Sequence, residues 1–383
     1  MTAPDQISEE AIRELMNAGR HAQAEGVLRA QLTADAAPIN LIRLLALAVR
    51  AQGRIAEARD LQLQIVDWLP GDFTARFDLA ESLLLLGDFE RGWREYQWRY
   101  RMPHTAGIER KVQRPRWDGA PMLGQTLLIH DEQGFGDTLQ FLRMAPEAKA
   151  RSGARVVLEV APELLSLAER MTGVDAVTAR GSLPPAFDRH CELMSLPMVT
   201  RLAMSDLPGQ APYLKPDPRR VATWRARLAA LPRPLVALVW AGRPTHANDA
   251  NRSMSLADFA PLAELDLTFL AVQKGPKAVE ALSPPTGLRV QSLDREIQDF
   301  EDTAAILSIA DLLVSVDSSP VHLAGALGRP AWVLLPFVPD WRWLLDRHDS
   351  PWYPSHRLLR QTAPGDWTSV IEELGRGLTR LAR

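Results

Sequence analysis

The apolar and polar positions of the chain follow one pattern in its first hundred residues and another beyond them. The first part is rich in Leu, Ala, Arg and Glu and lacks glycine-rich strand patterns, so it predicts helices. From Thr126 onward, short apolar runs alternate with helical stretches and polar turns. The chain is therefore predicted to be an α + α/β protein, in which a helical part precedes parallel sheets.

Three glycines divide the helical part at equal intervals. Gly19, Gly53 and Gly87 are 34 residues apart, and a small residue follows five positions after each. This pattern resembles the tetratricopeptide repeat, which places the glycine in the turn between two helices. We predict about three such repeats over residues 8–102, and repeats of this kind commonly bind a protein or peptide. An ordinary helical bundle with chance spacing is the alternative.

An aromatic and basic stretch closes the third repeat. The rings either cap the repeats and pack on the next domain, or line an acceptor groove. Residues 103–125 are rich in proline and glycine, which predicts a linker. The members of the aromatic stretch are Phe89, Trp93, Tyr96, Trp98, Arg99, Tyr100 and Arg101.

The α/β part divides into two halves at a proline-rich break, residues 208–220. We predict a first domain over 126–215 and a second over 216–383, with a C-terminal helix at 367–381. Two such halves imply a cleft, and open α/β sheets bind ligands at the carboxyl ends of their strands. Strands are predicted at 126–130, 155–160, 174–178, 187–191, 235–240, 268–272, 288–291, 312–316 and 331–335, and helices at 256–265, 300–310 and 320–327.

Composition narrows the classes of function. The 383 residues are 46% hydrophobic and 24% charged with a formal net charge of -3, which argues against bulk disorder and against a general nucleic-acid binder. Cys191 is the one cysteine, so no internal disulfide or multi-thiolate zinc site is expected. The N-terminus lacks a secretory pattern, and the longest apolar run, 331–338, is too short to span a membrane. We therefore expect a cytoplasmic protein with no integral membrane segment.

The first candidate site is the segment Asp131–Thr138, which follows a predicted strand and opens a helix. Its two glycines, Gly134 and Gly136, permit close backbone approach, and a helix N-terminus favours an anion. As a dinucleotide fingerprint it is incomplete, because Leu139 stands at the third glycine position. Asp137 is open to two interpretations: a general base for a substrate hydroxyl, or a carboxylate that caps the helix.

The second candidate site is the segment Val314–Pro330, in which a strand, an Asp-Ser-Ser-Pro turn and a helix follow one another. Ser318 and Ser319, with the free N–H groups of the first helical turn, predict a cradle for a diphosphate. Asp317 would repel phosphate, so it is expected to orient the loop or to bind a ligand hydroxyl. His322 is either a ligand contact or a buried histidine with a partner of its own.

The third candidate site is the polar loop within Val239–Met254, with Gln273 and Lys274 after the next strand. Arg243, Arg252 and Lys274 lie at predicted strand ends, where cations can neutralise a diphosphate leaving group. Solvated surface charge is the alternative for each. The sequence lacks the P-loop, zinc-protease, Asp-x-Asp and G-x-S-x-G motifs, which disfavours those classes of enzyme.

Three segments together carry a resemblance to a known family: GFGDTLQF, VSVDSSPVHLAGALGRPAWVLLP and WRWLLDRHDSPWYPS. They resemble bacterial tetratricopeptide-repeat glycosyltransferase-like proteins. The catalytic half is similar to glycosyltransferase family 9, the heptosyltransferases, and distantly to the peptide O-GlcNAc transferases. The resemblance covers essentially the whole chain and implies a GT-B fold of two Rossmann-like domains over 120–383. One departure is Ser319, which stands where the family usually has glycine.

The resemblance also implies roles for residues. Asp137 is implied as the catalytic base, and the second domain as the binder of a nucleotide-diphosphate sugar, without a metal ion or a further cofactor. The donor contacts implied are Trp240, Gly242, Arg243, Arg252, Ser253, Gln273, Lys274, Asp317, Ser318, Ser319 and His322. The acceptor and phosphate loop is implied at Glu132, Gln133, Gly134, Gly136 and Gln140.

Two functions from different classes remain open. The first is a glycosyltransferase of the inverting type that moves a sugar from a nucleotide donor to a protein or peptide held by the repeats. The second is a scaffold without activity, in which the repeats bind a partner and the transferase domain is degenerate. Asp137, His322 and the cationic loops favour the enzyme.

Overall fold

The chain is described here from a computed structural model. The structure describes residues 7–32, 38–103, 105, 107, 109–207, 209, 211–246 and 248–382. Residues 33–37 of the predicted first repeat and residues 104, 106 and 108 of the predicted linker lie outside this part. The chain forms two compact units: a helical unit of Met1–Arg110 with Val338–Asp346, and an α/β unit of Lys111–Phe337 with Arg347–Arg383.

The helical unit contains helices in successive pairs, with a glycine between the two members of each pair. Gly19, Gly53 and Gly87 all have positive φ, at 73°, 81° and 83°, which glycine adopts without steric cost. In each turn the N–H after the glycine donates to a carbonyl five residues back, as from Arg20 to Leu15 at 2.9 Å. The helices are α1 (Glu9–Asn17), α2 (His21–Gln31), α3 (Ile39–Ala51), α4 (Ile55–Trp68), α5 (Phe73–Leu85) and α6 (Phe89–Tyr96).

The aromatic stretch after the third glycine turn is largely interior to the helical unit. Trp93 and Tyr96 are 1% and 5% exposed, and the ring of Trp93 meets that of Trp341 edge to face at 5.1 Å between centroids. Trp341 lies in the segment Val338–Asp346, which belongs to the same unit although it is distant in sequence. The contact buries these rings inside the helical unit, so neither packing on the next domain nor an acceptor groove is shown for them.

The α/β unit begins with a parallel sheet of four strands in the order β3-β2-β1-β4. Strand β1 pairs with β2 and β4, and its last residue, His130, is in register with Glu159 on β2 and Glu192 on β4. The last two strands begin two residues later than the sequence pattern predicts. The strands are β1 (Thr126–His130), β2 (Arg155–Val160), β3 (Ala176–Ala179) and β4 (Arg189–Glu192), and the helices α7 (Phe135–Phe141), α8 (Ala145–Ser152), α9 (Leu165–Glu169) and α10 (Leu196–Thr200).

A second parallel sheet has six strands in the order β10-β9-β8-β5-β6-β7. Numbered within this sheet, that is the 3-2-1-4-5-6 arrangement of a dinucleotide-binding fold. The strands are β5 (Leu235–Val239), β6 (Thr268–Ala271), β7 (Val290–Ser292), β8 (Leu312–Val316), β9 (Ala331–Leu335) and β10 (His356–Arg360), and the helices α11 (Pro218–Leu228), α12 (Asp249–Arg252), α13 (Phe300–Ile309), α14 (Ser319–Ala326) and α15 (Trp367–Leu381).

In this half, one predicted helix needs correction and one strand was not predicted. The segment predicted as a helix at 256–265 is a 3₁₀ helix over Leu256–Leu262 with Pro261 inside it, because proline cannot donate the hydrogen bond that an α-helix requires. Strand β10 was not predicted, since its sequence His-Arg-Leu-Leu-Arg does not read as an apolar run.

The second sheet packs against a large apolar core. Trp240, Phe259 and Phe269 are among its largest buried members, and α15 covers it with Val370, Leu374 and Leu378. In the described ranges, no helix combines the length and the apolar character that a membrane crossing requires.

Candidate functional site

The order of the strands identifies where each sheet can bind a ligand. In the second sheet the neighbours β5 and β8 lead to connections on opposite sides, so the loops after them open a crevice at their carboxyl ends. These loops hold two of the three candidate sites, the polar loop after Val239 and the turn after Val316. In the first sheet, the neighbours β1 and β4 form the corresponding point, and the loop after His130 is the remaining candidate site.

The turn after β8 leads directly into helix α14. Ser318 is its N-cap residue, and Ser319 and Pro320 start the helix, where proline fits because the first N–H groups of a helix have no internal partner. The Ser318 hydroxyl lies 3.0 Å from the hydroxyl of Ser315. Both Ser318 and Ser319 are half-buried, so this helix start remains partly accessible.

Arg252 joins the loop after β5 to the turn after β8. Its Nη1 donates to the backbone carbonyl of Asp317 at 3.0 Å, and its Nε lies 3.4 Å from the carboxylate of Asp249. Gly242 permits this arrangement, because a Cβ there would lie 2.6 Å from Arg252 Nη2. Ser253 completes the loop by accepting from the Gly242 N–H at 2.9 Å. Four predicted donor residues are therefore brought together here.

Three other residues that were predicted to contact the sugar donor make contacts within the protein instead. Gln273 is 3% exposed and accepts the N–H groups of Trp240 and Ala241 at 3.0 and 2.9 Å. Trp240 is fully buried in the apolar core, and no described residue accepts a hydrogen bond from its indole N–H. Lys274 donates to the carbonyl of Asp294 at 2.6 Å and pairs with that residue's carboxylate at 2.9 Å.

Arg243 differs from Arg252 in its surroundings. It is exposed, and its guanidinium makes no hydrogen bond or ion pair within the part of the chain that the structure describes. A guanidinium offers five donors in a planar fork that suits phosphate oxygens. Of the three predicted cations, Arg243, Arg252 and Lys274, Arg243 can therefore bind an anion without first breaking a contact.

Asp137 makes the capping contact that sequence reasoning left as one of its two roles. Its Oδ2 accepts the N–H of Gly134 at 2.9 Å, which satisfies the N-cap group of helix α7. Asp137 is half-buried. The cap holds the carboxylate at the start of α7, and a carboxylate in that position can still accept a proton from a hydroxyl placed beside it.

The rest of the loop after β1 varies in exposure. Glu132 and Gln140 are 6% and 0% exposed, so their side chains lie inside the fold, whereas Gln133 is half-buried and Gly134 exposed. Asp131 accepts the N–H of Ala161 at 2.6 Å and therefore anchors the loop to the end of β2.

The two halves of the α/β unit meet where these loops begin their helices. A Cβ on Gly136 would lie 3.0 Å from Cδ2 of His322 and 3.6 Å from Cα of Ser319, so α7 and α14 approach at backbone distance. The rings of Phe135 and Phe300 meet edge to face at 5.0 Å. The sequence predicts that Gly136 permits close approach of a ligand. In the structure, the residues close to Gly136 are His322 and Ser319 of the other half of the α/β unit.

His322 is buried at 4% exposure and has a defined partner. Its Nδ1 lies 2.9 Å from the hydroxyl oxygen of Tyr353. The opposite edge of the ring faces Gly136. The tyrosine fixes the orientation of the imidazole, which supports the buried-histidine interpretation without excluding a ligand at the edge near Gly136.

Sequence reasoning missed an arginine that bridges the halves. Arg143 follows α7, and its guanidinium donates to the carbonyl of Trp352 at 2.7 Å and to the hydroxyl of Tyr213 at 3.3 Å. It also lies over the ring of Tyr353, 4.7 Å from the centroid. Burial lowers the pKa of Arg143, but the two tyrosines outweigh it and hold that pKa above its ordinary value. It lies in a short 3₁₀ turn, Leu142–Met144, and a single arginine between apolar residues gave no signal of this role.

Comparisons with known proteins show what the chain is similar to. No protein-family model matches it. Protein FlbA of Caulobacter vibrioides is 27% identical over 330 residues, which cover 80% of this chain and 55% of FlbA, so the chain spans about half the length of that relative.

Two solved structures are similar to part of the chain. A glycosyl transferase of family 9 from Veillonella parvula has a TM-score of 0.52 at 10% identity, covering 69% of this chain and 99% of that one. An ADP-heptose lipopolysaccharide heptosyltransferase II of E. coli has a TM-score of 0.47 at 14% identity, covering 67% and 99%. The likeness to the family 9 structure is one of fold, and the mixed helical and parallel-sheet architecture matches a GT-B-like glycosyltransferase fold.

Proposed function

We propose that the chain transfers a sugar from a nucleotide-diphosphate donor to an acceptor hydroxyl, with inversion and without a metal ion in the transfer step. The observation that carries the proposal is the approach of Gly136 to His322 and Ser319, which sets the start of α7 beside the start of α14. Two loops at strand carboxyl ends, one able to hold a base and one able to hold an anion, thereby meet within one compact unit.

The donor half of the proposal rests on charge and on free backbone donors. The N–H groups at the start of α14, with Ser318 and Ser319, suit a diphosphate. Arg252 is fixed to the same turn through the carbonyl of Asp317, and Arg243 is exposed on the adjoining loop. Positive charge at this place stabilises the diphosphate as it leaves.

The acceptor half rests on Asp137. The acceptor hydroxyl attacks the anomeric carbon, its proton passes to the Asp137 carboxylate, and the nucleoside diphosphate departs. We further propose that the acceptor is a protein or peptide recruited by the helical unit. Removal of residues 8–102 should then abolish transfer to protein while nucleotide binding persists, and loss of both would assign the helices a supporting role.

Donor binding provides the direct test. Thermal unfolding is followed with UDP, GDP, ADP, CMP and dTDP, one of which should stabilise the protein by about 2.7 kcal/mol at a hundredfold excess over Kd. Arg252→Gln should remove that stabilisation. Arg289→Gln, which alters an exposed pair with Asp266, is the matched control and should retain it. No shift with any nucleotide would refute the donor site.

The scaffold alternative has one observation in its favour. The approach of α7 to α14 that sets the two loops side by side also narrows the space between donor and acceptor, which a scaffold would not need to keep open. A scaffold predicts that a nucleotide binds but that no sugar is hydrolysed or transferred. Mass spectrometry of nucleotides that copurify with the chain, followed by a transfer assay with the matching sugar nucleotide, separates the two functions.

A further inference from the structure

Three ionisable side chains lie together on one face of the first sheet, outside the loops described above. They are His130, the last residue of β1, and His190 and Glu192 on β4. Side chains two residues apart on a strand share a face. Because Glu192 is in register with His130 and His190 with Leu128, strand pairing puts all three on the same side of the sheet.

The ring nitrogens and the carboxylate converge. His130 Nε2 lies 3.0 Å from His190 Nδ1, and that nitrogen is 4.0 Å from Glu192 Oε1. One ligand atom from each residue fits within a span of 4.8 Å. All three side chains are buried, with exposures of 0%, 3% and 2%.

Glu192 carries the observation that points to a ligand. One of its oxygens, Oε1, accepts from Arg116 Nε at 2.8 Å. The other, Oε2, is buried and has no hydrogen-bond partner among the residues that the structure describes. A buried carboxylate oxygen left without a partner is costly, and such groups are normally paired or coordinate a metal.

The charge around the cluster favours a cation. Glu159 on β2 is in register with His130 and is fully buried, so two carboxylates flank the imidazole pair on this face. Arg116 is the cation paired to Glu192, and its side chain is 49% exposed. Two buried carboxylates thus lie beside the imidazole pair, and the half-exposed guanidinium of Arg116 pairs with that of Glu192.

We propose that His130, His190 and Glu192 bind a divalent transition-metal ion of the zinc class, with a fourth, non-protein ligand, and that the ion ties β1 to β4. Two imidazole nitrogens and one carboxylate oxygen form a donor set that zinc uses in proteins. With bonds of about 2.0–2.1 Å, two nitrogens of a tetrahedral zinc site lie about 3.3 Å apart, so the histidines need to separate only slightly. The ion takes no part in the proposed sugar transfer, which still needs no metal ion.

Zinc binding to the full chain tests the proposal. The protein is stripped with a chelator, and Zn²⁺ is titrated in competition with a chromophoric chelator, with metal content read by mass spectrometry. We expect one Zn²⁺ per chain. His190→Gln or Glu192→Gln should weaken binding about 100-fold or more, since even partners of metal ligands contribute 10–100-fold. His348→Gln, at an exposed histidine, is the control and should bind zinc as the wild type does.

A second readout does not depend on the variants folding. Co²⁺ added to the stripped wild type should give the visible absorption of a tetrahedral site, and Zn²⁺ should abolish it. Stoichiometric zinc that is lost in both cluster variants and kept in His348→Gln supports the site. Absence of zinc and of the cobalt spectrum, or equal loss in His348→Gln, overturns it and leaves the cluster as a hydrogen-bonded group.

Discussion

The ring of Tyr353 passes so close to Gly325 that a Cβ on that glycine would lie 2.1 Å from Cδ1 of the ring. Gly325 lies in the last turn of α14, and Tyr353 is the residue whose hydroxyl contacts His322 on the same helix. The tyrosine therefore packs against two successive turns of the helix that starts at the candidate donor turn. A substitution at Gly325 that displaces the Tyr353 ring therefore also alters the contact of its hydroxyl with His322.

Gly325→Ala should destabilise the α/β unit by about 1–3 kcal/mol, the usual cost of overpacking a buried site. Tyr353 is 1% exposed, and its ring lies so close to Gly325 that it must shift to accept a methyl group there. Gly26→Ala in α2 is the matched control, because no described atom other than nearby backbone of its own helix lies within 4 Å of its would-be Cβ. That variant should gain about 0.5–1 kcal/mol from helix propensity. Chemical denaturation of both variants measures the difference, and equal effects would contradict the contact.

Asp137→Asn separates the base from the cap. Asparagine caps a helix nearly as well as aspartate but cannot take a proton, so stability should be kept while kcat falls by about 10²–10⁴-fold. Nucleotide affinity should hardly change.

Asp258→Asn is the matched control for that experiment, because Asp258 accepts the N–H of Ser255 at 2.8 Å just as Asp137 accepts that of Gly134. It should leave both rate and stability near the wild type. Full activity in Asp137→Asn together with a loss of activity in Glu132→Gln would assign the base to Glu132 in the same loop. Full activity in both would remove the base from this loop.

Trp341 should be a principal stabilising contact of the helical unit. It is 3% exposed and packs on Trp93 and Tyr96, and truncation of a buried tryptophan costs about 3–5 kcal/mol. Trp341→Ala should therefore accelerate amide hydrogen exchange in α5 and α6. Trp68→Ala, at a tryptophan of the same unit that is 48% exposed, should not. Unchanged exchange in Trp341→Ala would show that the segment 338–346 adds nothing to the helices.

His356 should make the protein less stable in mild acid. Burial lowers the pKa of His356 to about 4, against hydrogen bonds to Val321 and Ser355 that act the other way. The folded pKa lies below the unfolded value of 6.5, so the unfolded chain binds the extra proton first. The contribution of His356 to the free energy of unfolding is therefore fully present above pH 6.5. It falls by up to about 1.4 kcal/mol per pH unit as the pH decreases towards 4.

Urea midpoints at pH 7.5, 6.0 and 5.0 measure this dependence. His356→Gln should flatten it, because the amide retains a donor for the Val321 carbonyl but does not titrate. His348→Gln at the exposed histidine should keep the slope of the wild type. A slope that persists in His356→Gln would assign the acid sensitivity to another group.

Local pattern was sufficient for most individual elements. The bounds of β1, β2, β8 and β9 and of the C-terminal helix match the apolar runs that predicted them. The glycines spaced by 34 residues lie in the helix–helix turns, because only there does the backbone need positive φ. That these helices are tetratricopeptide repeats stays a prediction, as do the roles of the site residues.

The sequence by itself determined the elements, the glycine turns and the three polar loops after strands, because propensity and periodicity act over a few neighbouring residues. The tertiary structure alone decided which side chains meet: Gly136 with His322, Arg143 with Tyr353, and His130 with His190 and Glu192. These pairs depend on strand order and register, which are fixed by packing between distant segments. For the same reason Gln273, a candidate ligand by its position, is held by backbone groups that no local pattern reveals.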